Sequence, residues 1–294
     1  MASCLRVAVV QTGGCTEDVA KNRALLLEHF RREATPDTDL VVFPELATTP
    51  YFCAATRDPV WAAWAEPIPG PTTTAFAEIA RETRTAVCFG MFERGADGRG
   101  YNAAPIIGAD GELVVGCMHD GVSLTAYRKC ALPRVVSPNL TTDEKHWFDP
   151  GPGPAVFEVG GLRVGVIICY DRSFSDLWTA YAALRVDVVV AVVSSFGWRE
   201  ELFVAELRLR AMEFGLWVVA ANRGGLEELR GVGLSSFGQS CVIAPTGHVV
   251  AEAPPHTQPC VVRATIDTDA LTDARAAFPV QADRRPELTA FAFR

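Results

Sequence analysis

Several short runs in this chain are almost entirely apolar and rich in valine and isoleucine, most clearly 162–168, 188–193 and 216–221. A strand with one face in water alternates apolar and polar residues, whereas a strand covered on both faces forms such a continuous run. Amphipathic segments at 175–184 and 198–214 separate these runs, with apolar residues spaced for one helical face. The alternation predicts an α/β fold in which helices cover buried strands.

Antiparallel elements accompany this pattern. Residues 101–129 have the pattern of a meander, and 239–251 that of a hairpin. Thr16 is the expected N-cap of the first helix, with two acidic residues after it in the first turn. The segment 132–154 is rich in Pro, Asn, Asp and Thr, which predicts a long loop of functional interest. No Pro/Gly linker divides the chain, so one domain is expected, and the pattern weakens from residue 271 onward.

The composition excludes several classes of function. The 294 residues carry a net charge of −8 and contain no lysine or arginine run, so no nucleic-acid partner is expected. The longest apolar runs are far shorter than a bilayer span, and the N-terminus lacks the features of a signal peptide, which predicts a cytoplasmic protein without a membrane partner. The nine cysteines form neither a C-x-x-C motif nor a zinc-type pattern with histidine, so free thiols and no metal are expected.

Polar residues follow the ends of many of the apolar runs. They are Glu45, Lys129, Cys169, Ser194, Ser195, Asn222 and Arg223. Ligands of α/β sheets bind beyond the carboxyl ends of the strands, so Glu45, Lys129, Cys169 and Ser194 are candidates for one crevice. Each alone has an ordinary structural explanation, because a glutamate there is often a cap or a solvated charge and a cysteine is often part of the core. Their joint placement is what favours a functional site.

Three of these groups have complementary chemistry. The thiol of Cys169 is a nucleophile only as a thiolate, and it needs a base or a cation nearby. None of the five histidines ends a clear buried strand, whereas the carboxylate of Glu45 can serve as the base. The ammonium group of Lys129 can stabilise an oxyanion and hold the carboxylate ionised. Such a set carries out acyl transfer without a metal or a cofactor.

The stretches around these residues resemble the motifs of the nitrilase or carbon–nitrogen hydrolase superfamily. They are V-V-F-P-E-L-A-T-T-P-Y at 41–51, Y-R-K-C-A-L-P at 127–133 and G-V-I-I-C-Y-D-R-S-F at 165–174. They occur in the family's order with similar spacing, and the resemblance covers nearly the whole chain. It implies a four-layer αββα sandwich formed by a single domain at 1–270, and an arm at 271–294 that lies at a subunit interface. It also implies pairing into an eight-layer homodimer.

The resemblance assigns a role to each catalytic candidate. Cys169 attacks the carbonyl or nitrile carbon, and Glu45 takes the thiol proton and later activates water. Lys129 and the backbone N–H of Tyr170 hold the oxyanion. Glu144, in D-E-K-H-W-F, matches a second glutamate of many members, which positions the lysine or the leaving amine. The alternative for Glu144 is a solvated loop charge.

The residues beside the nucleophile bear on the substrate. Nitrilases usually carry Cys-Trp-Glu there, whereas Cys169-Tyr170-Asp171 resembles the amidase and carbamoylase branches. Arg172 matches a carboxylate-binding arginine of N-carbamoyl-D-amino-acid hydrolases, although an arginine in this place is equally often an ion-pair partner. The substrate-binding candidates are Tyr51, Tyr170, Arg172, Ser194 and Ser195.

The leading prediction is therefore a thiol-dependent hydrolase of a small linear amide or an N-carbamoyl compound, with a small-molecule substrate and no cofactor. The alternative within the class is a nitrilase that converts a nitrile to an acid and ammonia. The alternative of another class is a catalytically inactive binding or scaffold homologue, against which the intact Glu45, Lys129 and Cys169 argue.

Overall fold

The computed structural model describes residues 4–136 and 140–288, which form twenty strands and five α-helices joined by loops and short 3-10 turns. The helices are α1 Val19–Glu33, α2 Pro71–Thr83, α3 Ser175–Ala183, α4 Glu200–Phe214 and α5 Thr268–Ala277. The strands of the first half are β1 Cys4–Gln11, β2 Leu40–Val42, β3 Ala86–Cys88, β4 Met91–Arg94, β5 Gly100–Ala104, β6 Ile106–Ile107, β7 Gly116–Met118, β8 Ser123–Leu124, β9 Tyr127–Arg128, β10 Arg134–Val136 and β11 Thr141–Asp143. Those of the second half are β12 Ala155–Val159, β13 Leu162–Ile168, β14 Val188–Val192, β15 Trp217–Ala221, β16 Gly224–Leu229, β17 Val232–Phe237, β18 Cys241–Ile243, β19 Val249–Glu252 and β20 Cys260–Asp267.

Two sheets form the centre of the molecule. The smaller has the order β20-β1-β2-β3-β6, in which β1, β2 and β3 are parallel. The larger has the order β19-β18-β15-β14-β13-β12-β7-β8, in which β13, β14 and β15 are parallel. The remaining pairs of both sheets are antiparallel. The apolar runs of the sequence thus supply the parallel centre of the larger sheet, where both faces are covered.

Side chains from the two sheets meet in a shared inner core. It contains Val7, Val9 and Val42 of the smaller sheet and Val164, Val166, Val190 and Val219 of the larger. Helices α1 and α2 cover the outer face of the smaller sheet, and α3 and α4 cover that of the larger. The predicted four-layer αββα sandwich and single domain are confirmed. None of the helices within the described ranges has both the length and the apolar character needed to cross a bilayer.

The predicted N-cap of the first helix is wrong by two residues. Helix α1 begins at Val19, and Asp18 caps it by accepting the backbone N–H of Lys21 at 3.0 Å. The backbone N–H of Thr16 instead donates to the side-chain amide oxygen of Asn22, whose amide nitrogen donates back to the carbonyl of Thr16. This side-chain contact from within the helix keeps Thr16 and its acidic neighbour outside the first turn.

Other local predictions are partly corrected. Residues 101–129 are not one meander, because their short strands pair within three different sheets. The segment 132–154 is not one long loop but contains the hairpin β10–β11, although residues 137–139 lie outside the described residues. The hairpin at 239–251 is confirmed as β18–β19. The hairpin β16–β17 was not predicted, because its glycines and charges hide the strand pattern.

A helix crosses the predicted boundary between the domain at 1–270 and the arm at 271–294. Helix α5 spans Thr268–Ala277, so it includes residue 271, where the predicted arm begins. The side chain of Leu271 is buried in the inner core. The arm and its place at a subunit interface stay predictions, and residues 289–294 lie outside the described residues.

Candidate active site

The carboxyl ends of the two sets of parallel strands lie at the same end of the sandwich. Glu45 follows β2 of the smaller sheet, and Cys169 follows β13 of the larger. The backbone N–H of Glu45 donates to the carbonyl of Val193, just beyond β14, at 3.4 Å. Arg223, two residues beyond β15, donates to the carbonyl of Glu45 at 3.0 Å. The crevice that the strand ends predict is therefore formed between the two sheets.

Lys129 joins two buried carboxylates at the base of this crevice. Its Nζ donates to Glu45 Oε1 and to Glu144 Oε1, at 2.7 Å in each case. All three side chains have no solvent exposure. Lys129 lies directly after β9. Its backbone N–H donates to the carbonyl of Asn102 at 2.9 Å, which fixes the backbone from which the side chain extends. Glu144 is thus not a solvated loop charge.

Several buried oxygen atoms of the crevice have no hydrogen-bond partner among the described residues. They are Glu45 Oε2, Glu144 Oε2, Asn102 Oδ1 and Ser194 Oγ. The great majority of buried polar atoms are paired with protein groups or water. These four oxygens, three on residues hydrogen-bonded to Lys129 or Glu45 and one on Ser194 beside Cys169, are therefore candidates to contact a substrate or a reacting water.

The electrostatics of the lysine and the second glutamate follow from their burial. Burial lowers the pKa of Lys129, but the charges of Glu144 and Glu45 outweigh that effect and raise the pKa well above its usual range. Burial raises the pKa of Glu144 to about 7, against the opposing charge of Lys129. Lys129 is therefore cationic at neutral pH, while Glu144 titrates close to neutrality.

Cys169 follows β13 directly and begins a 3-10 turn, Cys169–Ser173, with a left-handed backbone at φ 46°. A non-glycine residue in this region costs roughly 1–3 kcal/mol and persists only where its surroundings hold it. Arg172 Nη1 donates to the Cys169 carbonyl at 2.9 Å, and Asp171 Oδ2 accepts the N–H of Ile168 at 3.1 Å. These contacts hold the sharp turn that presents the thiol.

The thiol is not activated in the resting site. Burial raises the pKa of Cys169 and the charge of Glu45 adds to it, while Lys129 and Arg172 act in the opposite direction. A thiol with a raised pKa is neutral at neutral pH, so attack on a carbonyl requires a base. Glu45 is close enough for its charge to act on the thiol, and its Oε2 has no partner in the described part of the chain.

Two serines of the predicted substrate-binding set lie beside the sulfur. Cys169 Sγ is 3.5 Å from Ser195 Oγ and 3.9 Å from the carbonyl of Ser194. Asn222 Oδ1 accepts the N–H of Ser195 at 2.9 Å and thereby fixes the loop after β14. The structure thus brings residues from the ends of β13, β14 and β15 together.

The two predicted tyrosines lie in different surroundings. The Tyr51 hydroxyl is buried and donates to Glu144 Oε1 at 2.7 Å, so it contacts the catalytic candidates directly. Tyr170 is partly exposed, and its ring packs edge-on against Phe174 with centroids 5.0 Å apart. Tyr170 and Phe174 border a cleft of about 640 Å³ together with Lys145 and Phe148. Tyr170 therefore borders a surface cleft, whereas Tyr51 belongs to the buried group around Lys129.

Arg172 makes internal contacts. It is 2% exposed, its Nε donates to Glu206 at 3.1 Å, and its Nη1 lies 3.8 Å from Cys169 Sγ. Glu206 also accepts from Arg199 at 2.9 Å. The ion-pair alternative for Arg172 is therefore present in the structure, whereas contact with a substrate carboxylate stays a prediction.

Some residues of the site were not among the predicted set. Asn102 Nδ2 donates to Glu45 Oε1 at 2.7 Å. Asp171 accepts from the N–H of Ala131 and the hydroxyl of Tyr127, both at 2.8 Å, and burial raises its pKa to about 6. The available signals were a polar residue inside an otherwise apolar strand for Asn102, and an acidic residue two positions after Cys169 for Asp171. In residues 4–136 and 140–288, no group of three His, Cys, Asp or Glu side chains could hold a metal ion.

Comparison with known proteins agrees with this geometry. The carbon–nitrogen hydrolase family matches residues 6–276. The N-carbamoylputrescine amidase of Solanum lycopersicum is 29% identical over 287 residues, which covers 93% of this chain and 90% of that protein. The omega-amidase NIT2 of Homo sapiens is 29% identical over 264 residues, which covers 89% and 88%. The crystal structure of a carbon–nitrogen hydrolase from Helicobacter pylori G27 has a TM-score of 0.83 at 23% identity and covers 99% of both chains.

The fold is that of the nitrilase superfamily, and its strand ends carry the glutamate, lysine and cysteine expected from the sequence. Within that superfamily the chain belongs to the carbon–nitrogen hydrolase family. It is an amidohydrolase-type enzyme that hydrolyses carbon–nitrogen bonds.

Proposed function

We propose that this protein is a thiol amidohydrolase that acts on a small linear amide or an N-carbamoyl compound. The observation that carries the proposal is the position of Lys129, 2.7 Å from a carboxylate oxygen of both Glu45 and Glu144 in a site without solvent exposure. A buried cation between two carboxylates, next to a strained turn that presents Cys169, has the groups that acyl transfer requires.

In the first half of the reaction, Glu45 accepts the proton of the Cys169 thiol and the sulfur forms a bond to the carbonyl carbon. The carbonyl π electrons move to oxygen, and Lys129 donates a hydrogen bond to the resulting oxyanion. The N–H of Tyr170 is a second donor, since the first N–H groups of a helical turn have no acceptor within it. When the intermediate collapses, the carbon–nitrogen bond breaks and Glu45 returns the proton to the leaving nitrogen.

In the second half, water replaces the amine. Glu45 removes a proton from water, the oxygen adds to the acyl carbon, and the carbon–sulfur bond breaks. The proton held by Glu45 then returns to the sulfur of Cys169, and the acid leaves. Glu144 positions Lys129 in both halves, because it binds the ammonium group and is itself held by the hydroxyl of Tyr51.

The substrate class rests on the relatives and on the residues around the nucleophile. The tomato relative is named for N-carbamoylputrescine and the human relative for omega-amides. The sequence Cys169-Tyr170-Asp171 resembles the amidase and carbamoylase branches. Ser195 Oγ lies 3.5 Å from the thiol, and Tyr170 follows Cys169 in the chain and borders the cleft, so both are candidates to contact the substrate. Arg172 is a candidate to attract a substrate carboxylate through its charge.

A panel of linear amides, N-carbamoyl amines, N-carbamoyl acids and nitriles tests the proposal. Ammonia with a carboxylic acid from an amide identifies an amidase, and ammonia with carbon dioxide identifies a carbamoylase. Turnover of nitriles alone contradicts the proposed substrate class and favours the nitrilase alternative. No turnover of any compound by folded protein favours the inactive homologue.

Homodimer formation is also part of the proposal. Trp198 is 81% exposed, and Leu202 and Leu209 on α4 are each about half exposed. Apolar side chains on one helical layer are consistent with the eight-layer dimer that the family resemblance implies. Sedimentation equilibrium of the purified chain measures its mass directly, and a monomer at micromolar concentration contradicts the dimer.

A further inference from the structure

We propose that the buried ion pair Arg223–Glu227 is a positioning device for the general base. It holds the segment 45–51 by both ends and so sets Glu45 and Tyr51 relative to Lys129. The inference rests on the proposed function, because it assumes that Glu45 is the base. We refer to the two residues as the Arg223–Glu227 pair.

Arg223 binds the backbone of the first part of the 45–51 segment. Its Nη2 donates to the carbonyl oxygens of Glu45 at 3.0 Å, of Leu46, and of Thr49 at 2.7 Å. Its Nη1 donates to Glu227 Oε2. The side chain is 1% exposed, so these contacts are made out of water, where charge-assisted hydrogen bonds are strong.

Glu227 holds the end of the segment. Its Oε1 accepts the backbone N–H of Tyr51 at 2.6 Å, and its Oε2 accepts that of Cys15 at 2.7 Å. The carboxylate is 4% exposed. The pair therefore connects the hairpin β16–β17 to both the 45–51 segment and the loop after β1.

The backbone conformation of the held segment shows why it needs support. Leu46, directly after the proposed base, has a left-handed backbone at φ 47°. Such a conformation in a residue with a branched side chain is strained and must be imposed by its surroundings. The hydrogen bond from Arg223 to the Leu46 carbonyl is one such constraint. Without it, relaxation of Leu46 moves the Glu45 carboxylate.

The two ends of the 45–51 segment carry the side chains that contact Lys129 and its second carboxylate, Glu144. Glu45 binds Lys129 directly, and Tyr51 binds Glu144, which binds Lys129. Catalytic groups must be held within about 0.5 Å of their productive geometry by their supporting residues. A displacement of about 1 Å costs on the order of 10²-fold in rate. Neither side chain of the pair hydrogen-bonds to Lys129 or to the carboxylates of Glu45 and Glu144, so the proposed positioning acts through the backbone of the segment. The charge of Arg223 also acts on Glu45, and Arg223→Lys, which keeps that charge, separates the two effects.

The test compares four variants of the enzyme with a matched control; they are Arg223→Lys, Glu227→Gln, Glu227→Ala and the double variant Arg223→Met/Glu227→Gln. Arg223→Lys keeps the charge but loses the planar fork that reaches three carbonyls. Glu227→Gln keeps an acceptor oxygen for Tyr51, and the double variant Arg223→Met/Glu227→Gln leaves no buried charge unpaired. The control is Arg263→Met/Glu33→Gln, which removes another arginine–glutamate pair with a buried carboxylate that joins β20 to α1.

The expected result is a fall in kcat of about 10- to 100-fold for Arg223→Lys and the double variant, with KM changed by less than about threefold. Glu227→Gln is expected to retain more activity than Glu227→Ala, because the amide oxygen still accepts from Tyr51. The control is expected to lose thermal stability without a comparable loss of kcat. Activity is measured at least 15 °C below the Tm of each variant.

Three outcomes overturn the inference. They are wild-type kcat in the folded double variant, a rise in KM at constant kcat, and a kcat loss in the control as large as in the Arg223 variants. The variant Glu45→Gln separates this inference from the proposed function. If Glu45→Gln retains wild-type turnover, the proposed mechanism itself fails. If Glu45→Gln is inactive while the Arg223 and Glu227 variants are unaffected, only the positioning role fails.

Discussion

Lys129 Nζ donates to Glu45 Oε1 across 2.7 Å, and neither side chain is exposed to solvent. Removing two charges from water costs several kcal/mol per ion, and one partner seldom compensates for that loss. Here Glu144 gives the lysine a second carboxylate, and Asn102 gives Glu45 a second donor. The Lys129–Glu45 pair therefore adds little to the stability of the fold, and its retention in a buried site favours the proposed catalytic role.

Replacement of the nucleophile is expected to abolish turnover. Cys169→Ala removes the atom that forms the acyl-enzyme, so kcat falls by several orders of magnitude while the fold is retained. The measurement is ammonia release with the best compound of the panel, beside a circular dichroism spectrum. Cys117→Ala is the control, because Cys117 is exposed and free. Equal activity in wild type and Cys169→Ala contradicts the mechanism.

Removal of the Tyr51 hydroxyl is expected to change the pH dependence of activity. Burial sets the pKa of Glu144 at about 7, and the hydrogen bond from Tyr51 holds it down from a higher value. Tyr51→Phe therefore raises the pKa of Glu144, and the acid limb of the pH profile of kcat/KM moves to higher pH if ionised Glu144 is required. Tyr101→Phe, which loses a hydrogen bond to the surface residue Asp97, is the control. Superimposable profiles for Tyr51→Phe and wild type mean that Glu144 does not limit activity.

A methyl group at Gly90 is expected to displace the base. A Cβ there would lie 2.5 Å from Glu45 Cα and 2.6 Å from the backbone nitrogen of Leu46, and neither atom can rotate away. Gly90→Ala must therefore shift the 45–51 segment, with a loss of about 10²-fold in kcat. Gly233→Ala is the matched control, since its nearest contact is Leu226 Cδ1 at 3.6 Å. Wild-type kcat in Gly90→Ala would show that the position of Glu45 is not critical.

Asp171 is expected to make stability depend on pH. Burial raises its pKa from the usual 3.8 to about 6, so between these pH values the folded chain keeps a proton that the unfolded chain has lost. The contribution of Asp171 to stability therefore falls as pH rises from about 4 to about 6, by ~3 kcal/mol in all. Asp171→Asn lacks this titration. Urea unfolding of both proteins between pH 4 and pH 7 measures the difference, and parallel curves contradict the prediction.

The sequence was sufficient for the fold class and for the main reactive groups. Short, β-branched apolar runs such as Leu162–Ile168 predict strands covered on both faces, because they are too short for a buried helix and lack the alternation of a half-exposed strand. The residue that ends each run is then placed at the crevice by the geometry of parallel strands. This geometry accounts for Glu45 and Cys169. Lys129 is also a polar residue after an apolar run, but it follows β9, which pairs antiparallel with β5 outside both central sheets. Glu144 came from the family resemblance, since no strand end identifies it.

Sequence reasoning was weaker where contacts are made between distant segments. Thr16 failed as a cap because an asparagine one turn into the helix binds it, a contact that local propensity does not contain. Asn102 was not selected, because its donation to Glu45 depends on two strands of different sheets meeting. The hairpin β16–β17 was missed, and with it Glu227.

By itself the sequence determined which chemical groups this enzyme has and the layers that carry them. Hydrophobic periodicity and the order of strands and helices along the chain can be read from neighbouring residues. The tertiary structure alone decided how those groups are held. Three features depend on residues 15 to 178 positions apart: the left-handed turn at Leu46, the two carboxylates on Lys129 and the contacts of Arg223 with three carbonyls. Such contacts form only when the two sheets pack face to face. Packing removes these charged and polar groups from water, and a buried group without a hydrogen-bond partner is energetically costly.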